Sequence, residues 1–191
     1  LKYECPAGTT GFPGKVQANV SYSIENNKLN IDYSAITESP THINLTNHAY
    51  FNLNNNELIG NSFLKINAEK YLELDKSLVP TGKKLLVKNT SLDFRNSKKL
   101  GKIRLDDYFV VNQTNSPVVE FFEPKSGINM SVFTNQPGLV VFTPPHFQAI
   151  CFETQKFSNT PNILSFPSTL INPREVYRHK TSFVFNIQKN I

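Results

Sequence analysis

An all-β sandwich or barrel is the fold that this sequence predicts. Three observations carry the prediction. Apolar and polar residues alternate over many short runs; Gly and Pro fall between those runs; and nowhere do apolar residues keep a helical period over about a dozen positions.

Taken in order, residues 6–14 hold Pro6, Gly8, Gly11, Pro13 and Gly14 and read as a loop. Val16, Ala18, Val20, Tyr22 and Ile24 then alternate with Gln17, Asn19, Ser21 and Ser23, the pattern of a half-buried strand. A turn over 25–28 and renewed alternation at Leu29, Ile31, Tyr33 and Ala35 complete a hairpin. A third strand is expected over 41–46, delivering His48 at or just beyond its end, with a polar loop at 54–57. Further strands are expected over 63–68, 85–88, 108–111, 118–123, 128–134, 139–143, 149–153 and 182–187. Pro80 with Gly82, Gly127, and Pro144 with Pro145 punctuate them as strand ends and turns.

The 191 residues, 39% of them hydrophobic, are enough for one folded unit over the whole chain. No apolar stretch approaches the roughly 20 residues that cross a bilayer, so no membrane partner is expected. The chain opens at Leu1 without a basic segment followed by an apolar one, so no targeting peptide is expected either. The formal charge of +5 is scattered, and its densest groups (Lys83–Lys84, Lys98–Lys99 and 174–180) are short and interrupted by residues such as Glu175. A solvated surface fits this better than a nucleic-acid interface. Two cysteines, Cys5 and Cys151, make no disulfide framework and suit a reducing, cytoplasmic compartment, with Cys151 a buried thiol in a strand-like run.

Three stretches can carry chemistry. In 44–53, Asn-Leu-Thr-Asn-His-Ala-Tyr-Phe-Asn-Leu, His48 stands between Asn47 and Ala49 with Tyr50 and Phe51 behind it. Ring faces beside a few polar groups suit a binding pocket, although a hydrogen-bonded packing histidine is the plainer alternative. In 149–155, alternation puts Ala149, Cys151 and Glu153 on one face and Ile150 and Phe152 on the other. Glu153 is therefore either a strand-end carboxylate in water or one positioned for use. Asp106 and Asp107, ahead of Tyr108, are turn formers by composition, and can also accept hydrogen bonds from a polyhydroxylated ligand. No phosphate-binding loop is present, and His42, His48, His146 and His179 show no metal-ligand spacing with each other or with the cysteines. No metal or cofactor is expected, and Cys151 lacks a visible electropositive neighbourhood that would make it a nucleophile.

Together these stretches resemble the aldose 1-epimerase (galactose mutarotase) family. The resemblance rests on Gly11-Phe-Pro-Gly14, 44–53, Val79-Pro-Thr-Gly82 with Leu92-Asp-Phe-Arg95, Asp106 with Phe109, Cys151 to Gln155, Pro161-Asn162 leading to Phe166-Pro-Ser168, and Glu175-Val-Tyr-Arg-His179. It implies a galactose mutarotase-like β-sandwich (supersandwich) that lacks the N-terminal part, this chain being the C-terminal portion. It also implies interconversion of the α and β anomers of hexoses such as galactose and glucose, without metal or cofactor. His48 is then the acid that protonates the ring oxygen and Glu153 the base that takes the anomeric proton. Asp106, Tyr50, Ala49 and Asn47 are substrate-binding residues on the same analogy. The sequence differs at Val140, where many members carry a sugar-binding Gln. The rivals are a non-catalytic carbohydrate-binding module, and an inactive piece whose unpaired strand edges require the missing half or a second copy. A hexose 6-phosphate site would need a cluster of arginines, and only Arg95, Arg104, Arg174 and Arg178 exist.

Overall fold

In the computed structural model, which describes residues 1–9, 11–55, 57–112 and 114–188, a short β1 (Lys2–Cys5) lies against the predicted hairpin of β2 (Val16–Glu25) and β3 (Lys28–Thr37). Asn26 takes a left-handed φ of 53° in the turn between them, a conformation that Asn tolerates. Thr10 and Asn56, inside two of the expected loops, lie outside the described residues. The strands that follow are β4 (Thr41–His42), β5 (Tyr50–Phe51), β6 (Phe63–Ile66), β7 (Ala68–Leu74), β8 (Pro80–Leu86), β9 (Lys98–Lys99) and β10 (Asp106–Val111). After them come β11 (Val119–Glu123), β12 (Ile128–Thr134), β13 (Gly138–Phe142), β14 (Ile150–Gln155), β15 (Leu170–Ile171) and β16 (Tyr177–Ile187). The described residues contain no α-helix, only single 3-10 turns at Ile59–Asn61 and Thr160–Asn162, so none is long and apolar enough to cross a membrane.

All pairings are antiparallel. One eight-stranded sheet runs β1-β2-β3-β16-β12-β11-β6-β9, a six-stranded sheet runs β5-β14-β13-β10-β7-β8, and β4 with β15 forms a small third sheet. The two large sheets face each other across a common core: Ile31, Leu64, Val119, Phe121, Met130, Val132 and Phe183 from one meet Phe109, Leu139, Val141, Ile150 and Phe152 from the other. Phe121 and Phe152 touch edge to face at 5.8 Å between ring centroids. Truncating such a fully buried ring to Ala removes about 3–5 kcal/mol.

Four expectations need correction. The run 63–68 is two strands, because the chain crosses from one sheet to the other at Asn67, whose N–H donates to Val118 while its carbonyl accepts from Asn112. The strand expected over 85–88 runs instead over Pro80–Leu86. Pro80 and Gly82, read as breakers, lie inside it, which an outer strand tolerates since Pro at its first position costs no ladder bond. Asp106 and Asp107 lie within β10 rather than in a turn. Of 41–46, only Thr41 and His42 are strand.

The second face of the six-stranded sheet is the one that matters for chemistry. At one end Phe157, Phe166 and Ile163 pack over Leu72, Tyr108 and Val140. Tyr108 comes so close to β13 that a Cβ on Gly138 would lie 2.4 Å from its ring, so only glycine fits there. The other end, around β5 and β14, is where His48 and Glu153 lie.

Candidate active site

β14 sits between β13 and β5, and its alternation falls as the sequence predicts: Ile150 and Phe152 are fully buried in the core, while Cys151 and Glu153 point to the opposite face. His48 arrives by a different route. Residues 43–49 form no strand, and several of their polar groups find partners outside any ladder. Asn44 exchanges hydrogen bonds with the backbone of Lys156, its amide donating at 3.1 Å and its oxygen accepting at 2.9 Å. The Leu45 N–H donates to the Tyr177 hydroxyl at 3.2 Å, and its carbonyl accepts from that hydroxyl and from His179 Nδ1 at 3.1 Å. The Thr46 hydroxyl donates to the Thr154 carbonyl at 2.8 Å. The Ala49 N–H donates to Asn47 Oδ1, an Asx turn that swings the chain into β5.

This mooring sets the His48 ring against β14. Nε2 lies 3.1 Å from Glu153 Oε1, and Nδ1 lies 3.3 Å from Cys151 Sγ. The His48 side chain is 51% exposed and that of Glu153 12% exposed, so a solvent-facing imidazole covers a carboxylate set into the wall. Tyr50 packs against the imidazole at 5.0 Å and Phe142 meets it edge-on at 5.7 Å. Register places Tyr50, Cys151, Phe142 and Asp106 in one row across β5, β14, β13 and β10. Beside Tyr50 a hollow of about 510 Å³, lined by Asn52, Phe147, Gln148 and Ala149, falls within the size range of small-molecule sites. A second cavity, about 460 Å³, is lined by Tyr3, Phe12, His42, Leu45 and Phe157 among others; His48 and Glu153 line neither hollow.

Burial raises the proton affinity of Glu153; the neighbouring His48 lowers it, and the charge of Asp106 raises it again. The Cys151 thiol is pushed up to about 12, first by burial and then by the Glu153 charge, against a hydrogen bond from Tyr50. It is therefore a neutral thiol rather than a nucleophilic thiolate at neutral pH.

Of the residues singled out in the sequence, His48, Tyr50, Glu153 and Asp106 meet on one face, with Asp106 exposed and close enough to influence Glu153. Ala49 is exposed beside His48. Asn47 is turned the other way: its amide nitrogen is buried near the Tyr33 hydroxyl, and neither atom reaches a hydrogen-bond partner. Phe142, Tyr177, His179 and Thr154 carry no functional role in the sequence reading, although the last three lie in stretches that resemble the family. Tyr177, His179, Thr181 and Phe183 form the buried parity of β16, so extending the expected strand back from 182 to 177 would have exposed that row.

Comparison with known proteins bears on this arrangement. The family model described as aldose 1-epimerase matches residues 1–184. The galactose mutarotase of Sus scrofa is 31% identical over 95% of this chain and 61% of its own length. The aldose 1-epimerase of Streptococcus thermophilus is 39% identical over 70% of this chain and 41% of its own. An aldose epimerase homologue from C. elegans superposes with a TM-score of 0.93 at 26% identity, covering 98% of this chain and 65% of that one. The chain thus spans about three fifths of the length of the mammalian relatives it matches.

Proposed function

The chain belongs to the aldose 1-epimerase family, and from that premise we propose that His48 and Glu153 are the acid and base that interconvert the α and β anomers of a hexose such as galactose or glucose. The observation that carries the reading is their 3.1 Å contact between segments remote in sequence. Opening a hemiacetal ring takes the proton from O1 while another is delivered to O5. Both oxygens are bonded to C1, so the two proton-transfer groups must lie within hydrogen-bond reach of one anomeric centre.

In the ring-opening step, ionised Glu153 accepts the O1 proton, C1 and O1 become the aldehyde carbonyl, and the C1–O5 bond breaks as protonated His48 gives its proton to O5. Rotation about C1–C2 turns the other face of the carbonyl to O5. Reclosure then runs both transfers backwards: His48 recovers the O5 proton and Glu153 returns one to O1, leaving protein and sugar in their starting protonation states. Imidazole suits this work near neutral pH. The burial that raises the proton affinity of Glu153 makes it a better base than a free carboxylate. Tyr50 and Phe142 supply ring surface for the apolar face of a pyranose, and Asp106 an acceptor for its hydroxyls. The two cysteines are unpaired, which supports a cytoplasmic location. The outer edge of β1 supports pairing with further polypeptide, either the rest of the family length or a second copy.

Polarimetry on freshly dissolved α-galactose tests the proposal. The chain accelerates mutarotation, and Glu153→Gln or His48→Asn each removes about 10²- to 10⁴-fold of that acceleration. Equal rates in all three proteins would take these residues out of the mechanism. Sugar binding by calorimetry without any acceleration would select the carbohydrate-binding alternative.

A further inference from the structure

We infer that His48, Cys151 and Glu153 form a binding site for a borderline-soft divalent cation such as Zn²⁺ or Cd²⁺, and that its occupancy silences the acid–base pair. The site stands on its own geometry; its inhibitory consequence rests on the epimerase reading above.

The donor set comes first. One sulfur, one imidazole nitrogen and one carboxylate oxygen are the ligand types that Zn²⁺ takes, whereas hard cations such as Mg²⁺ prefer oxygen alone. A thiolate and a carboxylate together cancel the charge of a dication. The spacing comes second. One ligating atom from each of the three residues lies within 4.8 Å of the other two. Metal–ligand bonds of about 2.0–2.3 Å in a tetrahedron put ligand atoms about 3.3–3.7 Å apart. His48 Nδ1 lies 3.3 Å from Cys151 Sγ and its Nε2 lies 3.1 Å from Glu153 Oε1, so a single ion requires the ring to turn and the three groups to draw together. The imidazole now presents a different nitrogen to each neighbour, and a metal uses one. His48 is half exposed, so its ring can turn to aim a single nitrogen inward, and the same exposure gives the ion its entry path and leaves the fourth position to water.

The framework is rigid where it has to be. Cys151 and Glu153 are separated by one residue on β14, Cys151 paired with both β13 and β5 and Glu153 with β13, so their side chains share a face. Tyr50 pairs with Cys151 across β5 and β14, and its ring packs against His48 at 5.0 Å. Binding is a simple exchange: the Cys151 thiol releases its proton to solvent as the metal–sulfur bond forms, His48 binds neutral, Glu153 binds ionised, and nothing is oxidised or reduced. With His48 and Glu153 both coordinated, neither can pass a proton to or from a sugar.

Co²⁺ reads the sulfur ligand directly through its thiolate charge-transfer absorption. The experiment uses reduced Cys5→Ser protein, so that Cys151 is the one thiol present. The expected result is a charge-transfer band on Co²⁺ addition, its displacement by Zn²⁺, and its loss in Cys5→Ser/Cys151→Ser. His48→Asn, on an exposed position that puts little strain on folding, keeps the thiol and weakens Zn²⁺ binding by more than the roughly 10- to 100-fold that losing an outer partner costs. Mutarotation by Cys5→Ser protein falls with Zn²⁺ and returns on chelation. Absence of the band, or Zn²⁺ affinity unchanged in His48→Asn, overturns the inference. A band in a protein that shows no mutarotation leaves the metal site standing and overturns the epimerase reading instead.

Discussion

His48 and His179 are the same residue in two opposite settings. His48 is half exposed on an irregular segment, and its partners are a carboxylate and a thiol. His179 is fully buried on β16, stacked at 4.4 Å on Tyr33. Its Nδ1 donates to the Leu45 carbonyl, so Nε2 is left as the acceptor between the Thr154 and Thr181 hydroxyls at 3.0 and 2.8 Å. Burial holds its proton affinity down, at about 4, and it stays neutral. The two are joined through the chain, since the carbonyl that His179 grips lies three residues before His48. One imidazole faces solvent beside a carboxylate, where the proposed proton transfers need it; the other is buried and neutral and bonds the segment that leads to the first.

Exchanging their roles by mutation is the strongest way to break this contrast. His48→Asn lowers the mutarotation rate by about 10²- to 10⁴-fold but, at an exposed position, shifts the urea midpoint little. His179→Leu does the reverse first: the Leu45 carbonyl and two threonine hydroxyls lose a buried partner, and unfolding measured in urea loses roughly 2–4 kcal/mol. A stability loss in His48→Asn as large as that in His179→Leu would erase the distinction.

Acid sharpens it. An unfolded histidine titrates near 6.5 and folded His179 at about 4, so between those values the unfolded state binds the extra proton. The contribution of this residue to stability is complete above about pH 6.5 and is lost as pH falls toward 4, by about 3 kcal/mol in all. Thermal melts across that range should show the loss in the parent and a shallower slope in His179→Leu.

Two smaller effects test the mooring and the charge around the base. Tyr177→Phe removes the hydroxyl that serves both backbone groups of Leu45, costing about 1 kcal/mol in urea unfolding; at substrate saturation it lowers kcat more than it raises KM if the loss misplaces His48. Asp106→Asn removes a charge that raises the proton affinity of Glu153. The acid limb of the pH–rate profile should therefore move to lower pH, as polarimetry across pH 4–7 would record.

Much of the sandwich was legible because strand alternation is a local property. The β2–β3 hairpin, all of β12, and the division of β14 into a core face and a Cys151–Glu153 face follow from parity alone. Parity failed where other forces decided. Residues 44–46 look like strand, yet the Leu45 backbone is taken by Tyr177 and His179, and the Asn44 and Thr46 side chains bond the backbone of Lys156 and Thr154. The run 63–68 keeps its alternation through Asn67 while the chain changes sheets, because Ile66 and Ala68 are both buried in the same core from opposite layers.

The amino-acid sequence by itself determined the all-β class, the hairpin and most of the central strands with their apolar faces, and that His48 and Glu153 are the groups worth watching. Only the tertiary structure decided that they meet, that Cys151 joins them, and that His179 bonds the segment leading into His48. The reason is physical: periodicity is written within a few residues, whereas the sequence separation of 103 from His48 to Cys151 is closed by sheet order and register, which the packing of the whole core selects.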